Sequence, residues 1–228
     1  MKVLACVLAV PAVVLAWQWW SDTSTERRLA PVASAIAGRE VAVDCQTLWG
    51  ALIDPLPRHG EVLFDRNGIP EARLFLTHQT CDRLAEFSGH ARHGELACLA
   101  VARWAEQRRG PFGDPCYDRA ADTVYALLTL AHEAYHTAGV VNEAVTNCLT
   151  TQAIGYAATA LGAAEDEARD TARAMAAWLP FQGGAYRIAD CVAGGPFDLN
   201  PATVDFPTER VIVPPGGAGG VAGLASNA

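Results

Sequence analysis

Apolar positions dominate the chain in long runs broken by short polar turns, and over most of its length their spacing is helical. The stretch 117–138 carries Val124, Leu127, Leu128, Leu130, Ala131 and Ala134 round nearly the whole circumference of a helix. That spread predicts a helix buried on most sides. Gly113-Asp114-Pro115 leads into it, Gly139 stops it, and Asp118 and Asp122 lie toward its positive N-terminal end. A second helix is expected from Glu143 to about Leu161, with Asn142 as its N-cap and Gly139-Val140-Val141 as the turn between the two. Further helical patterns run from Thr77, as a cap, through Glu86, from Gly94 to Arg108, and from Ala163 to Trp178.

Strand patterns are few and short. Val41–Cys45 and Glu61–Phe64 are the best, and Asp65-Arg66-Asn67-Gly68 gives turn chemistry leading toward Arg73–Leu76. The fold class expected is therefore mainly α (α+β), with a small hairpin or sheet. Residues 21–40, polar and Ser/Thr-rich, read as a linker; 41–206 as one domain; 207–228, Gly/Ala-rich at its end, as a disordered tail. Neither internal repeats nor a phosphate-cradling glycine loop is found.

The N-terminus carries an address. Lys2 precedes an unbroken apolar run from Val3 to Ala16, with Val14-x-Ala16 offering small residues for cleavage. The rival reading is a retained anchor from Val3 to Trp20, since Trp17, Trp19 and Trp20 suit a membrane–water interface. Either way residues 1–20 place the domain outside the cytoplasm. The cysteines agree: of seven, Cys6 falls in this segment, leaving Cys45, Cys81, Cys98, Cys116, Cys148 and Cys191. An even set in an exported chain reads as up to three disulfides, and Cys191 is the expected partner of Cys148. A formal net charge of −8 excludes nucleic acid as a partner, because that needs a basic footprint.

Chemistry concentrates in Ala131-His132-Glu133-Ala134-Tyr135-His136-Thr137-Ala138-Gly139. On a helix His132 and His136 share one face and can offer two imidazoles to one metal ion, with Glu133 placed to accept a proton beside it. The ordinary alternative is a pair of hydrogen-bonded core histidines and a stray Glu. Burying all three without partners costs several kcal/mol, on the order expected for unpaired polar groups, and a bound cation removes much of it. Two imidazoles do not make a zinc site, which usually takes three protein ligands. Glu143, in the first turn of the next helix, is the nearest good oxygen ligand, although an acidic residue there also serves as an ordinary helix cap. Glu165, Asp166 and Asp170 are the rivals.

With His132, Glu133 and His136 as they stand, the chain resembles the zincin superfamily of metallopeptidases, and uncharacterised secreted or membrane-attached bacterial proteins built round the same motif. The stretch ending at Gly139 is also similar to the start of the metzincin signature, but Asn142 stands where that signature has a third His. The resemblance covers about a dozen residues. It implies a Zn²⁺ site, a zincin-like helical domain, a peptide or protein substrate, and a sheet edge above the metal helix along which a peptide could lie. Tyr186, Arg187, Tyr156 and His78 are candidates by type for assisting at the carbonyl, none preferred over a packing role. Two functional readings follow: an extracytoplasmic zinc metallopeptidase with Glu133 as general base, or a non-enzymatic exported binding or scaffold domain whose metal site is degenerate or structural.

Overall fold

Residues 21–37 are not a linker. They continue one helix, α1 (Lys2–Ala37), whose C-terminal half enters the core through Leu29, Val32, Ala33, Ile36 and Ala37, all buried. The correction has a clear cause: these five positions make an i, i+3, i+4, i+7, i+8 stripe. That stripe outweighs Pro31 and the polar stretch before it, where Ser24 and Thr25 donate their hydroxyls to the Ser21 carbonyl. The structure is a computed structural model describing residues 2–53, 59–89, 96–99, 115–179, 183–186, 188–202 and 206–207, with the backbone alone for 2–19.

Three strands follow the expected pattern. β1 (Ala42–Cys45), β2 (Gly60–Phe64) and β3 (Pro70–Leu76) form one sheet in the order β1-β3-β2. β1 runs parallel to β3, while β2 and β3 make the antiparallel hairpin anticipated from the Asp65–Gly68 turn. In that turn the Asp65 carboxylate accepts from the backbone N–H groups of Asn67 and Ile69, and Gly68 takes a φ of +75°. α1 closes one edge of the sheet. Glu26 accepts from the Cys45 N–H at 2.9 Å and Ser34 accepts from the Val41 N–H at 3.0 Å, so β1 is covered rather than exposed. β2, at the other end of the order, pairs with β3 alone among the described residues.

The remaining helices stack behind the sheet. After a short helix α2 (Leu48–Ile53) come α3 (His78–Gly89), α4 (Pro115–Thr137), α5 (Glu143–Ala160) and α6 (Glu165–Trp178). Thr77 caps α3 as expected, accepting from the Thr80 N–H. Of the helix expected over 94–108, Leu96–Leu99 forms a 3₁₀ turn and the rest lies outside the described residues, as does 208–228 of the tail. α4 packs against the sheet, α1, α3 and α5, with Leu127, Leu130, Ala131, Ala134 and Tyr135 fully buried. The sequence pattern indicated this burial on most sides, and Tyr125, 46% exposed, lies on the open one.

Two disulfides are formed among the described residues: Cys45–Cys81 ties β1 to α3, and Cys148–Cys191 ties α5 to the C-terminal loop. Cys98 is also disulfide-bonded. Such bonds suggest an oxidising, extracytoplasmic environment. Among the described residues no helix is long and apolar enough to cross a membrane. The signal-or-anchor reading falls on side chains outside that description.

Candidate metal centre

The helix–turn–helix from α4 to α5 builds the site. Gly139, with φ +94°, ends α4 in a Schellman motif: its N–H reaches the His136 carbonyl and the Val140 N–H reaches the Tyr135 carbonyl. A residue with a Cβ is strained at that φ, which is why glycine stands there. The turn does two further things. It aims the Val140 carbonyl at His136, and it brings α5 back so that Glu143 lands beside both histidines. Asn142 caps α5, its Oδ1 accepting from the N–H groups of Ala144 and Val145. Standing where the metzincin pattern has a ligand, Asn142 is thus occupied as a cap.

His132, His136 and Glu143 converge into a group that could hold a metal ion, with all their ligand atoms within 4.8 Å of one another. His132 Nε2 lies 3.0 Å from His136 Nε2 and 3.0 Å from Glu143 Oε2, and His136 Nε2 lies 3.5 Å from Glu143 Oε1. Ligands about 2.0–2.1 Å from a tetrahedral ion stand roughly 3.3 Å apart. The separations, which involve both carboxylate oxygens of Glu143, lie near that value.

Hydrogen bonding on the far side of each ring assigns the tautomers. His136 Nδ1 is 2.6 Å from the Val140 carbonyl, which can only accept, so Nδ1 carries the proton. His132 Nδ1 is 2.9 Å from Asn147 Oδ1. The Asn147 amide nitrogen donates to the Tyr186 carbonyl at 3.3 Å, which fixes its oxygen toward the ring. His132 therefore also donates from Nδ1. Both Nε2 atoms then present lone pairs to one another and to a carboxylate. Protonating His132 would relieve this, but burial, then His136, push its pKa down to about 4 against the opposing pull of Glu143 and Asn147. The lone pair of His132 Nε2 then faces both the second imidazole and the Glu143 carboxylate, an arrangement that a cation at the centre would satisfy.

Glu133 stands next to this group without joining it. Its side chain is buried and has no hydrogen-bond partner among the described residues; burial, then the charges of Glu143 and Glu61, raise its pKa to about 8. Gly60 on β2 lies against it, and the sequence reading had passed over that glycine. So were Asn147 and Val140, which orient the two imidazoles; a histidine's partner fifteen residues away on another helix leaves no local signal. Glu165 and Asp166 sit in the first turn of α6, and Asp170 pairs with Arg173; none of these rivals joins the His pair. Asp122 lines a separate cavity with Arg83.

A cleft opens over the centre. One cavity of about 600 Å³ runs from the His pair and Glu143 along Gly60, Glu61, Val62 and Phe64 of β2. A second, of about 340 Å³, lies on the Tyr125 and Trp178 side. Tyr186, in the loop anticipated as a rim, borders both. Of the other carbonyl-assisting candidates, His78 pairs with Asp82, Tyr156 packs on the core, and Arg187 lies outside the described residues.

No protein-family model, curated protein or solved structure matches the chain. What the centre can do is carried by its own atoms.

Proposed function

We propose that the protein is an extracytoplasmic zinc-dependent hydrolase acting on peptide bonds, with His132, His136 and Glu143 as metal ligands and Glu133 as general base. One observation carries the reading: two imidazoles, each held from behind by a hydrogen bond at Nδ1, converge with the Glu143 carboxylate on a space that one ion could fill. A donor set of two imidazoles and one carboxylate suits zinc and leaves a fourth position for substrate or water. When bound there, zinc supplies Lewis acidity, making a water nucleophilic near neutral pH and polarising a carbonyl.

The chain's own residues divide the remaining work. Asn147 and the Val140 carbonyl hold the imidazoles in the ligating tautomer and orientation. Glu133, buried and without a hydrogen-bond partner among the described residues, takes the proton of the attacking water and returns it to the leaving amine. The side of β2 away from β3 lines the cleft, and an extended peptide lying along it would present its carbonyls to the centre. Tyr186 borders the same space.

The test is a pair of variants on the purified protein. Glu133→Gln is expected to keep one zinc per chain and lose peptide hydrolysis by at least a thousandfold. Glu143→Ala is expected to lose the zinc. An active Glu133→Gln protein sinks the mechanism, and wild-type protein that binds no metal supports the scaffold reading instead.

A further inference from the structure

Asn147 and Cys148 are neighbours on α5, and both hold the loop that borders the cleft. The Asn147 amide donates to the Tyr186 carbonyl at 3.3 Å, and Cys148 is disulfide-bonded to Cys191 further along that loop. Gln152, one turn on from Cys148, pins the far end. Its Nε2 donates to the Phe197 carbonyl at 2.8 Å and its Oε1 accepts from the Leu199 N–H at 2.7 Å. Opening the disulfide would leave the Gln152 end in place. The Tyr186 end would then rest on α5 through the 3.3 Å bond from Asn147.

That bond decides the sense of the Asn147 amide. A carboxamide turned over exchanges donor and acceptor with little change of shape. With the Tyr186 carbonyl in place, the amide nitrogen faces it and Oδ1 faces His132, so the ring keeps its proton on Nδ1 and a lone pair on Nε2. With the carbonyl withdrawn, the amide is free to turn and donate to Nδ1. The imidazole proton then belongs on Nε2, 3.0 Å from Glu143 Oε2, where it makes a hydrogen bond instead of leaving a ligand. The same residues thus have a metal-binding tautomer and a self-satisfied one.

We propose that the Cys148–Cys191 disulfide is a redox lock on the metal centre, holding Asn147 in the sense that keeps His132 a ligand. The proposal rests on the metal reading above and adds its regulation. Access favours this bond: Cys191 is partly exposed, whereas Cys45 and Cys81 of the other described disulfide are both buried. A thiolate of a dithiol reductant attacks Cys191 Sγ and breaks the S–S bond, and Cys148 departs as a thiolate that takes up a proton. Gln152 Nε2, 3.7 Å from Cys148 Sγ, steadies that leaving group. The reductant's second thiol then closes its own disulfide and releases Cys191 as a thiol.

The test measures zinc affinity of the full chain by competition with a chelating dye. Cys191→Ser keeps Cys148 in the core as a thiol, as in the reduced protein, and is expected to bind zinc at least about tenfold more weakly than the oxidised wild type. Wild type reduced with a water-soluble phosphine makes the same comparison without a substitution. Asn147→Asp presents acceptors alone to Nδ1, so Asn147→Asp with and without Cys191→Ser should agree within roughly twofold. A disulfide that only stabilises the fold would lower Tm and leave zinc affinity unchanged; that result overturns the lock and leaves the metal centre standing. An equal loss of affinity in the Asn147→Asp background overturns the route through Asn147, and the lock with it. Oxidised wild type that binds no zinc overturns the metal centre and the lock together.

Discussion

Gly60 on β2 lies directly against Glu133 on α4: a Cβ at residue 60 would come within 2.9 Å of both Glu133 Cγ and Thr129 Cγ2. The edge strand therefore rests on the Glu133 side chain, and only a residue without a side chain permits it. Gly60→Ala must push Glu133 aside or lift β2 off α4. The expected cost is about 1–3 kcal/mol of stability, as for overpacking elsewhere, with hydrolysis falling at least tenfold and zinc retained. A variant with unchanged activity and melting temperature would show that the strand moves freely over the site.

Asn147 is predicted to tune the metal without touching it. Its Oδ1 accepts from His132 and its amide ties that ring to the loop bearing Tyr186. Asn147→Leu keeps the bulk and removes the acceptor, and is expected to weaken zinc binding about 10–100-fold, the usual range for a partner behind a ligand. Competition with a chelating dye measures this directly. Affinity within twofold of wild type would mean that the Asn147 contact does not orient the ring.

Metal removal should show in stability. If zinc binds only the folded chain, a free concentration one hundred times Kd adds about 2.7 kcal/mol. In a chain of this size that is worth on the order of 5–10 °C in Tm. Chelation should lower Tm by that amount and zinc should restore it. In Glu143→Ala the zinc-dependent shift should vanish, because the two imidazoles then lack their third partner. A shift of equal size in the variant would place the metal elsewhere.

The last prediction concerns α1. Ile36, 1% exposed, and Leu29, 0% exposed, sit in the core rather than in a tether. Each truncation to alanine is expected to cost about 2–5 kcal/mol, read from urea unfolding. Losses under 0.5 kcal/mol would return residues 21–37 to the status of a linker.

Much of this fold is local in origin, and so was legible. The Val124–Ala134 pattern predicted a helix buried on most sides, Asn142 announced the cap of α5, and the Asp65–Gly68 turn announced the β2–β3 hairpin. Helical spacing alone put His132 and His136 on one face. The stripe Leu29, Val32, Ala33, Ile36, Ala37 was equally local but was masked by Pro31 and the Ser/Thr stretch, so α1 was missed for want of weighting rather than of signal. Cys191 was the expected partner of Cys148, whereas the Cys45–Cys81 pairing was not anticipated.

What the sequence by itself determined was the pair of imidazoles, the carboxylate between them and the class of fold, because each depends on periods and caps acting within a turn or two of helix. What only the tertiary structure decided was that Glu143 closes on both Nε2 atoms, that Asn147 and Val140 fix the tautomers, and that Gly60, Tyr125, Trp178 and Tyr186 shape the space above. Those relations join residues on different elements. They depend on how the Gly139 turn and the sheet set those elements against one another, and no spacing along the chain encodes that distance.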